Sequence, residues 1–430
     1  MQTKTIIALF VLVVTMFSCN ETPQKVTEKS QYSAFLNTTD NEMLRLAKQD
    51  VTFWEKKLEK EPNQFPYLAK LAASQTVLFN ETGIIEHLKN AETYLVEANK
   101  STHYNNAGYL RSLARNYISQ HRFKEALELV EKAETIGENL RATQCMLFDV
   151  HLELGNYKVA ETYLAKIEDF KDFDFLIRIA KWSDHKGNLD ATINYMERAK
   201  DIAESSNLKG MKQWVYTNLA DYYGHAGNIK TSYNYYLKAL QLNPNDAYAK
   251  KGIAWIVYSY EKNPDEALRI LETVTATYNA PDYYLLKAEI AAFKEDDTLE
   301  ETQLKFYKNT VKNPLYGQMY NAHNILLHAE EPEHFDEVLK TAFSEVENRA
   351  TPQTYSLLAW VYLNNNQKEN ALTIMQNHVV GKTFEPEALY HLAEIYKANN
   401  MLSEAKKLKQ ELLESSFELG PITTAKIENI

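Results

Sequence analysis

Glycine and proline are scarce in this 430-residue chain, at 12 and 11 residues. Both punctuate turns and loops, so their scarcity argues against an all-β protein and against a loop-rich doubly wound enzyme. Cysteine is scarcer still. Cys19 and Cys145 are the only two, too few for a disulfide framework. Basic blocks are missing as well: acids outnumber bases 58 to 47, the formal charge is −11, and the two signs alternate along the chain. Such a balance argues against nucleic acid as a partner. Catalytic signatures are also lacking. There is no His-Glu-x-x-His, no P-loop, no Gly-x-Ser-x-Gly and no dinucleotide glycine fingerprint, so neither an enzyme nor a cofactor is expected.

What is present points to a folded helical chain. Apolar residues make up 45% and aromatics 12%, enough to exclude disorder over most of the length. The one long apolar run, Ile6 to Phe17, holds twelve residues. As a helix it rises about 18 Å, short of the roughly 30 Å of a bilayer core, and reads as the apolar part of an export signal. The run ends in Met16-Phe17-Ser18-Cys19, which resembles the lipobox of bacterial lipoproteins. That resemblance implies cleavage before Cys19, acylation of its thiol and a place in the cell envelope, on the outer membrane. Residues 1–18 are then the signal peptide and 19–38 the lipidated cysteine with a flexible tether, polar and aperiodic. Cys145 lies in an apolar helical pattern and reads as a small buried hydrophobe.

From residue 39 onward helical segments of about a dozen residues follow one another, opened by Thr39 and Glu42 at capping-box spacing. A repeat organises them. "LAWVYLNNNQKENAL" (358–372) returns as "LAEIYKANNMLSEAK" (392–406), with Leu358, Ala359, Tyr362 and Ala371 matched by Leu392, Ala393, Tyr396 and Ala405. Ala126 and Ala160 keep the same separation, as do Phe123 and Tyr157. The most complete unit carries Tyr216, Leu219, Ala220, Tyr223, Gly227, Ser232, Tyr236, Ala239 and Pro244. These residues resemble the tetratricopeptide pattern, and the resemblance runs from about residue 65 to 416, with poor matches between 282 and 346.

The spacing has a physical logic of its own. Crossing helices need small residues at closest approach, which accounts for the recurring alanines. Gly155, Gly187 and Gly227, and later Asn365, Asn366, Asn399 and Asn400, occupy the turn within each hairpin, where a left-handed conformation is useful. The expected architecture is therefore all-α: an α-α superhelix, a solenoid of about ten antiparallel hairpins over 39–416, followed by a C-terminal tail at 417–430. The family resemblance implies a right-handed superhelix with the first helix of each hairpin lining a concave groove.

That groove is the expected place of function. The register projects Arg111, Arg115, Lys181, Trp214, Trp360 and Tyr390 into it, as charge contacts and aromatic anchors for a protein or peptide partner. The basic trio would select acidic segments. His323, His328 and His334 stand five and six apart across a proline, read as solvated loop residues, and no metal site is expected. The composite reading is a lipid-anchored scaffold for protein–protein binding. The alternative is a glycan-binding lipoprotein resembling the SusD-like family, whose large insertions between repeats this chain lacks.

Overall fold

The computed structural model describes residues 25–38 and 40–430, so the proposed signal and Cys19 lie outside the described residues. Within them lie twenty-three α-helices. Two precede the repeats, α1 (Lys29–Leu36) and α2 (Glu42–Lys60). Ten hairpins follow. The first five are α3 (Pro66–Thr82) with α4 (Ile85–Ser101), α5 (Ala107–Ser119) with α6 (Phe123–Ile136), α7 (Leu140–Glu153) with α8 (Tyr157–Lys166), α9 (Phe173–His185) with α10 (Leu189–Ser206), and α11 (Lys209–His225) with α12 (Ile229–Leu242). The next two are α13 (Ala247–Trp255), extended by a π-turn at Ile256–Tyr260, with α14 (Pro264–Thr275), and α15 (Asp282–Phe293) with α16 (Asp297–Val311). The last three pair α17 (Asn321–His328) with α18 (Phe335–Asn348), α19 (Pro352–Asn364) with α20 (Lys368–His378), and α21 (Pro386–Ala398) with α22 (Leu402–Glu414). Helix α23 (Ser416–Glu428) closes the chain.

Local chemistry explains the hairpins. Ala114, Ala126, Ala239, Ala267, Ala359, Ala371, Ala393 and Ala405 are all at 0–1% exposure, because a larger side chain would force the crossing helices apart. Gly155, Gly187 and Gly227 turn their hairpins with φ of +77°, +72° and +72°, and Asn366 and Asn400 do so at +57° and +60°. Two of the tyrosines before a turn spend their hydroxyls on carboxylates: Tyr223 donates to Glu197 at 2.9 Å and Tyr258 to Glu289 at 3.1 Å. Cys145 is buried and unpaired.

The weak repeat matches have a structural counterpart. Helix α16 buries Tyr307 completely, its hydroxyl reaching Asn324 at 2.7 Å, and a tyrosine cannot stand where other hairpins cross on alanine. Helix α17 is only 8 residues long, set between 3-10 turns at Pro314–Tyr316 and Pro332–His334. A cavity of about 500 Å³ remains between α16, α17 and α18.

Three features depart from the sequence reading. Helix α2 is capped by Asn41, whose side chain accepts from the Leu44 amide at 2.9 Å. Residues 25–38, expected as part of a flexible tether, carry α1 and dock far along the chain. Glu261 accepts from the amides of Val26 and Thr27 at 2.7 and 2.6 Å, and the Tyr32 hydroxyl bonds Glu266 at 2.7 Å. Residues 417–430, expected as a tail, lie almost wholly in α23, which packs on α22 and reaches back to α11, α15 and the π-turn. In both places a short stretch gains order from distant partners that no local pattern reveals.

The superhelix also touches itself. The Thr82 carbonyl accepts from the Asn279 amide at 2.7 Å. Asn313 bonds Glu86 at 3.1 Å and Asn348 bonds the His121 carbonyl at 3.0 Å, both across 227 residues of sequence. In each case a turn within an early hairpin meets a loop between later hairpins, so successive superhelical turns are in contact.

Candidate binding groove

Odd-numbered helices approach one another across successive hairpins at α5–α7, α7–α9, α11–α13, α17–α19 and α19–α21, whereas no pair of even-numbered partners comes as close. The odd helices therefore form the inner, concave side. Polar side chains there link one hairpin to the next. Arg178 reaches Asp149 at 2.7 Å, Lys181 reaches Glu153 at 2.9 Å, and Lys251 reaches Asp282 at 3.2 Å. Burial works against the Lys181 ammonium, yet Glu153 and Asp149 beside it hold its pKa above the ordinary lysine value. Arg349, from the loop after α18, approaches the other Glu153 oxygen at 3.6 Å. Charges that the sequence leaves free are thus largely committed to holding the stack.

The expected groove residues separate into three groups. Arg111 donates to the Glu138 carbonyl at 2.8 Å and to Thr143 at 3.0 Å, so it and Lys181 serve contacts between hairpins. Arg115 and Trp214 are exposed, Arg115 beside a cavity of about 380 Å³ between α3 and α5, Trp214 with 42% of its surface open and its edge toward Phe173. Trp360 and Tyr390 are buried and offer no groove surface. Trp360 stacks on His391 at 4.3 Å between ring centroids, because α19 and α21 approach closely enough to cover both faces. His391 itself receives a 2.8 Å contact from Ser356, and burial pushes its pKa down to about 3.

A site that the sequence reading missed lies between α11, α13 and α15. Here a cavity of about 390 Å³ is lined by Asp221, Asp282 and Glu289, with Lys251 as the one basic residue at its wall and His323 at its edge. Tyr236 and Tyr248 both donate to Asp221, the latter at 2.7 Å. Tyr248 and Trp255 add aromatic surface. Burial pushes the Glu289 carboxyl up to about 7, against the hydrogen bond from Tyr258 that favours its ionised form. Three carboxylates facing one ammonium make a site that attracts cations, and aromatic faces beside it strengthen that preference. The convergence of Asp221 on α11 with Asp282 and Glu289 on α15, two hairpins further on, carries no signal in the sequence.

One hairpin of the stack matches a known repeat profile. Residues 215–246, which span most of α11 and all of α12, match the tetratricopeptide repeat profile. The chain carries a tetratricopeptide-repeat fold. Similar solved structures include PilF of Pseudomonas aeruginosa (16% identity over 50% of this chain and 97% of that one, TM-score 0.37). Yeast Tom70 shares 14% identity over 94% of this chain and 96% of that one, with a TM-score of 0.37. Human IFIT1, solved as a dimer with m7Gppp-AAAA, shares 12% over 80% and 76%, with a TM-score of 0.47. At such identities the likeness concerns the fold alone. No curated protein matches the sequence. Among the described residues no helix of this tetratricopeptide stack is long and apolar enough to cross a membrane.

Proposed function

We propose that the chain is an envelope scaffold, anchored by lipid at Cys19, whose concave side binds a protein segment presenting a lysine or arginine. The observation that carries the binding reading is the cavity between α11, α13 and α15, where Asp221, Asp282 and Glu289 outnumber Lys251 and aromatic rings complete the wall. This reverses the charge preference expected from Arg111, Arg115 and Lys181, two of which are engaged within the stack. An arginine-rich decapeptide should bind in a fluorescence-anisotropy titration and a glutamate-rich one should not. Affinity should rise between pH 6 and 8, because Glu289 ionises near 7 and only its charged form attracts the ligand cation. The double variant Asp282→Asn, Glu289→Gln should weaken binding at pH 8 by about tenfold, the worth of roughly 1.4 kcal/mol. Equal binding of the two peptides, or an unaffected double variant, would refute the site.

The anchor rests on the Ser18-Cys19 ending and the short apolar run before it. With α1 docked, the seven steps from Cys19 to Val26 reach at most roughly 25 Å in any conformation. A lipid on Cys19 would therefore hold the α12–α14 side of the stack close to the membrane. Cys19→Ser should move the protein from the membrane to the aqueous fraction on cell fractionation. Undiminished membrane association of that variant would reject the lipid reading.

A further inference from the structure

The turn between α17 and α18 converges on a point. His328 is the last residue of α17, and the chain then runs through Glu331 into the 3-10 turn Pro332–His334. Residues 328, 331 and 334 are three apart. Two backbone bonds of three-residue span, from the Glu331 amide to the His328 carbonyl at 3.1 Å and from the His334 amide to the Glu331 carbonyl at 3.0 Å, fold the chain tightly at both steps. The ligand atoms of His328, Glu331 and His334 lie within 4.8 Å of one another. His328 Nδ1 stands 2.5 Å from Glu331 Oε2, and His334 Nε2 stands 3.6 Å from the same oxygen. Counting histidines alone hid this arrangement: His323 belongs to the groove cavity, and the third member is a glutamate.

We propose that His328, Glu331 and His334 form a binding site for a divalent transition-metal ion, zinc above all. Two imidazoles and one carboxylate are a donor set suited to zinc, with a fourth position left to water or to a side chain of a partner. Tetrahedral coordination at about 2.0–2.1 Å needs donors about 3.3 Å apart. The His334–Glu331 pair is near that spacing, and the His328–Glu331 pair must open by less than 1 Å. Charges of both signs surround the trio: the Lys308 ammonium, 3.7 Å from the other Glu331 oxygen, competes with a bound cation, and the Glu337 carboxylate, 3.8 Å from His334 Nδ1, favours one. The site borders the cavity of about 500 Å³ beside α17, which gives an ion and its water an approach. A metal ion binds only unprotonated imidazole and ionised carboxylate, so affinity must fall as pH drops.

Equilibrium dialysis of the full chain against ZnCl₂, with metal measured by mass spectrometry, tests the proposal. One equivalent should be retained at pH 7.5 and lost in the double variant His328→Asn, His334→Asn. Glu331→Gln should weaken retention at least tenfold, while His323→Asn, outside the trio, should leave it unchanged. Thermal melting of each variant without metal checks that the fold persists, and zinc should raise the melting temperature of the parent chain but not of the double variant. No retained zinc in the parent chain, or retention equal in the double variant, would overturn the site and leave the trio as an ion-pair network.

Discussion

Gly155→Ala is expected to cost about 3 kcal/mol of stability and Gly137→Ala only about 1. Both glycines have left-handed backbones, with φ of +77° and +81°, so alanine carries a similar conformational penalty of about 1 kcal/mol at each. Their surroundings differ. A Cβ at Gly137 would meet nothing within 4 Å, whereas a Cβ at Gly155 would lie 2.7 Å from the Ala350 carbonyl oxygen and 3.2 Å from its carbon. That neighbour is backbone and cannot swing aside, so overpacking adds roughly 1–3 kcal/mol. The strain falls where two superhelical turns meet, next to the Glu153–Arg349 ion pair. Urea denaturation midpoints of the two variants measure the difference directly. Equal losses would mean that the turns of the superhelix do not touch in solution.

Tyr32→Ala should make docking of the N-terminal segment about 3–5 kcal/mol less favourable. The ring of Tyr32 is 2% exposed in the core that α12, α13 and α14 share, and deleting a buried aromatic ring typically costs that much through lost transfer energy and the cavity left behind. Its hydroxyl also joins Lys29 and Arg269 on Glu266, whose carboxyl is held down to about 2 by Arg269 first and by the other two donors despite partial burial. What remains in the variant are polar contacts, among them the bonds from Val26 and Thr27 to Glu261 and from Lys29 to Glu266. Hydrogen exchange reads the outcome: the amides of Val26 and Thr27 should lose protection while those of α19 to α22 keep theirs. Unchanged protection at those two amides would show that α1 is held by something other than Tyr32. Released, the segment would lengthen the reach from Cys19 and free the stack from the membrane-proximal placement proposed above.

The helices, their pairing and their turns were legible because each depends on residues near in sequence. Alanine at a crossing, tyrosine before a turn, and glycine or asparagine in it act within one hairpin and its neighbour, and a period of 34 repeats the instruction. The weakening of that pattern between 282 and 346 was visible for the same reason. The groove was legible only in part. Arg115 and Trp214 lie on accessible surface, but the register could not say that Arg111 and Lys181 would be engaged with Thr143 and Glu153, or that Trp360 and Tyr390 would be covered.

Sequence alone determined an all-helical stack of ten hairpins, since nearest-neighbour packing is all that a repeat pattern encodes. Tertiary structure decided everything that depends on the rotation accumulated from hairpin to hairpin. A few degrees per repeat set whether Gly155 meets Ala350, whether α1 finds Glu261 and Glu266, and which three carboxylates share one cavity. The convergence of His328, Glu331 and His334 was decided by a smaller, local event, the tight turn that ends α17 and the 3-10 turn that follows it, which the α-helical pattern on either side does not announce.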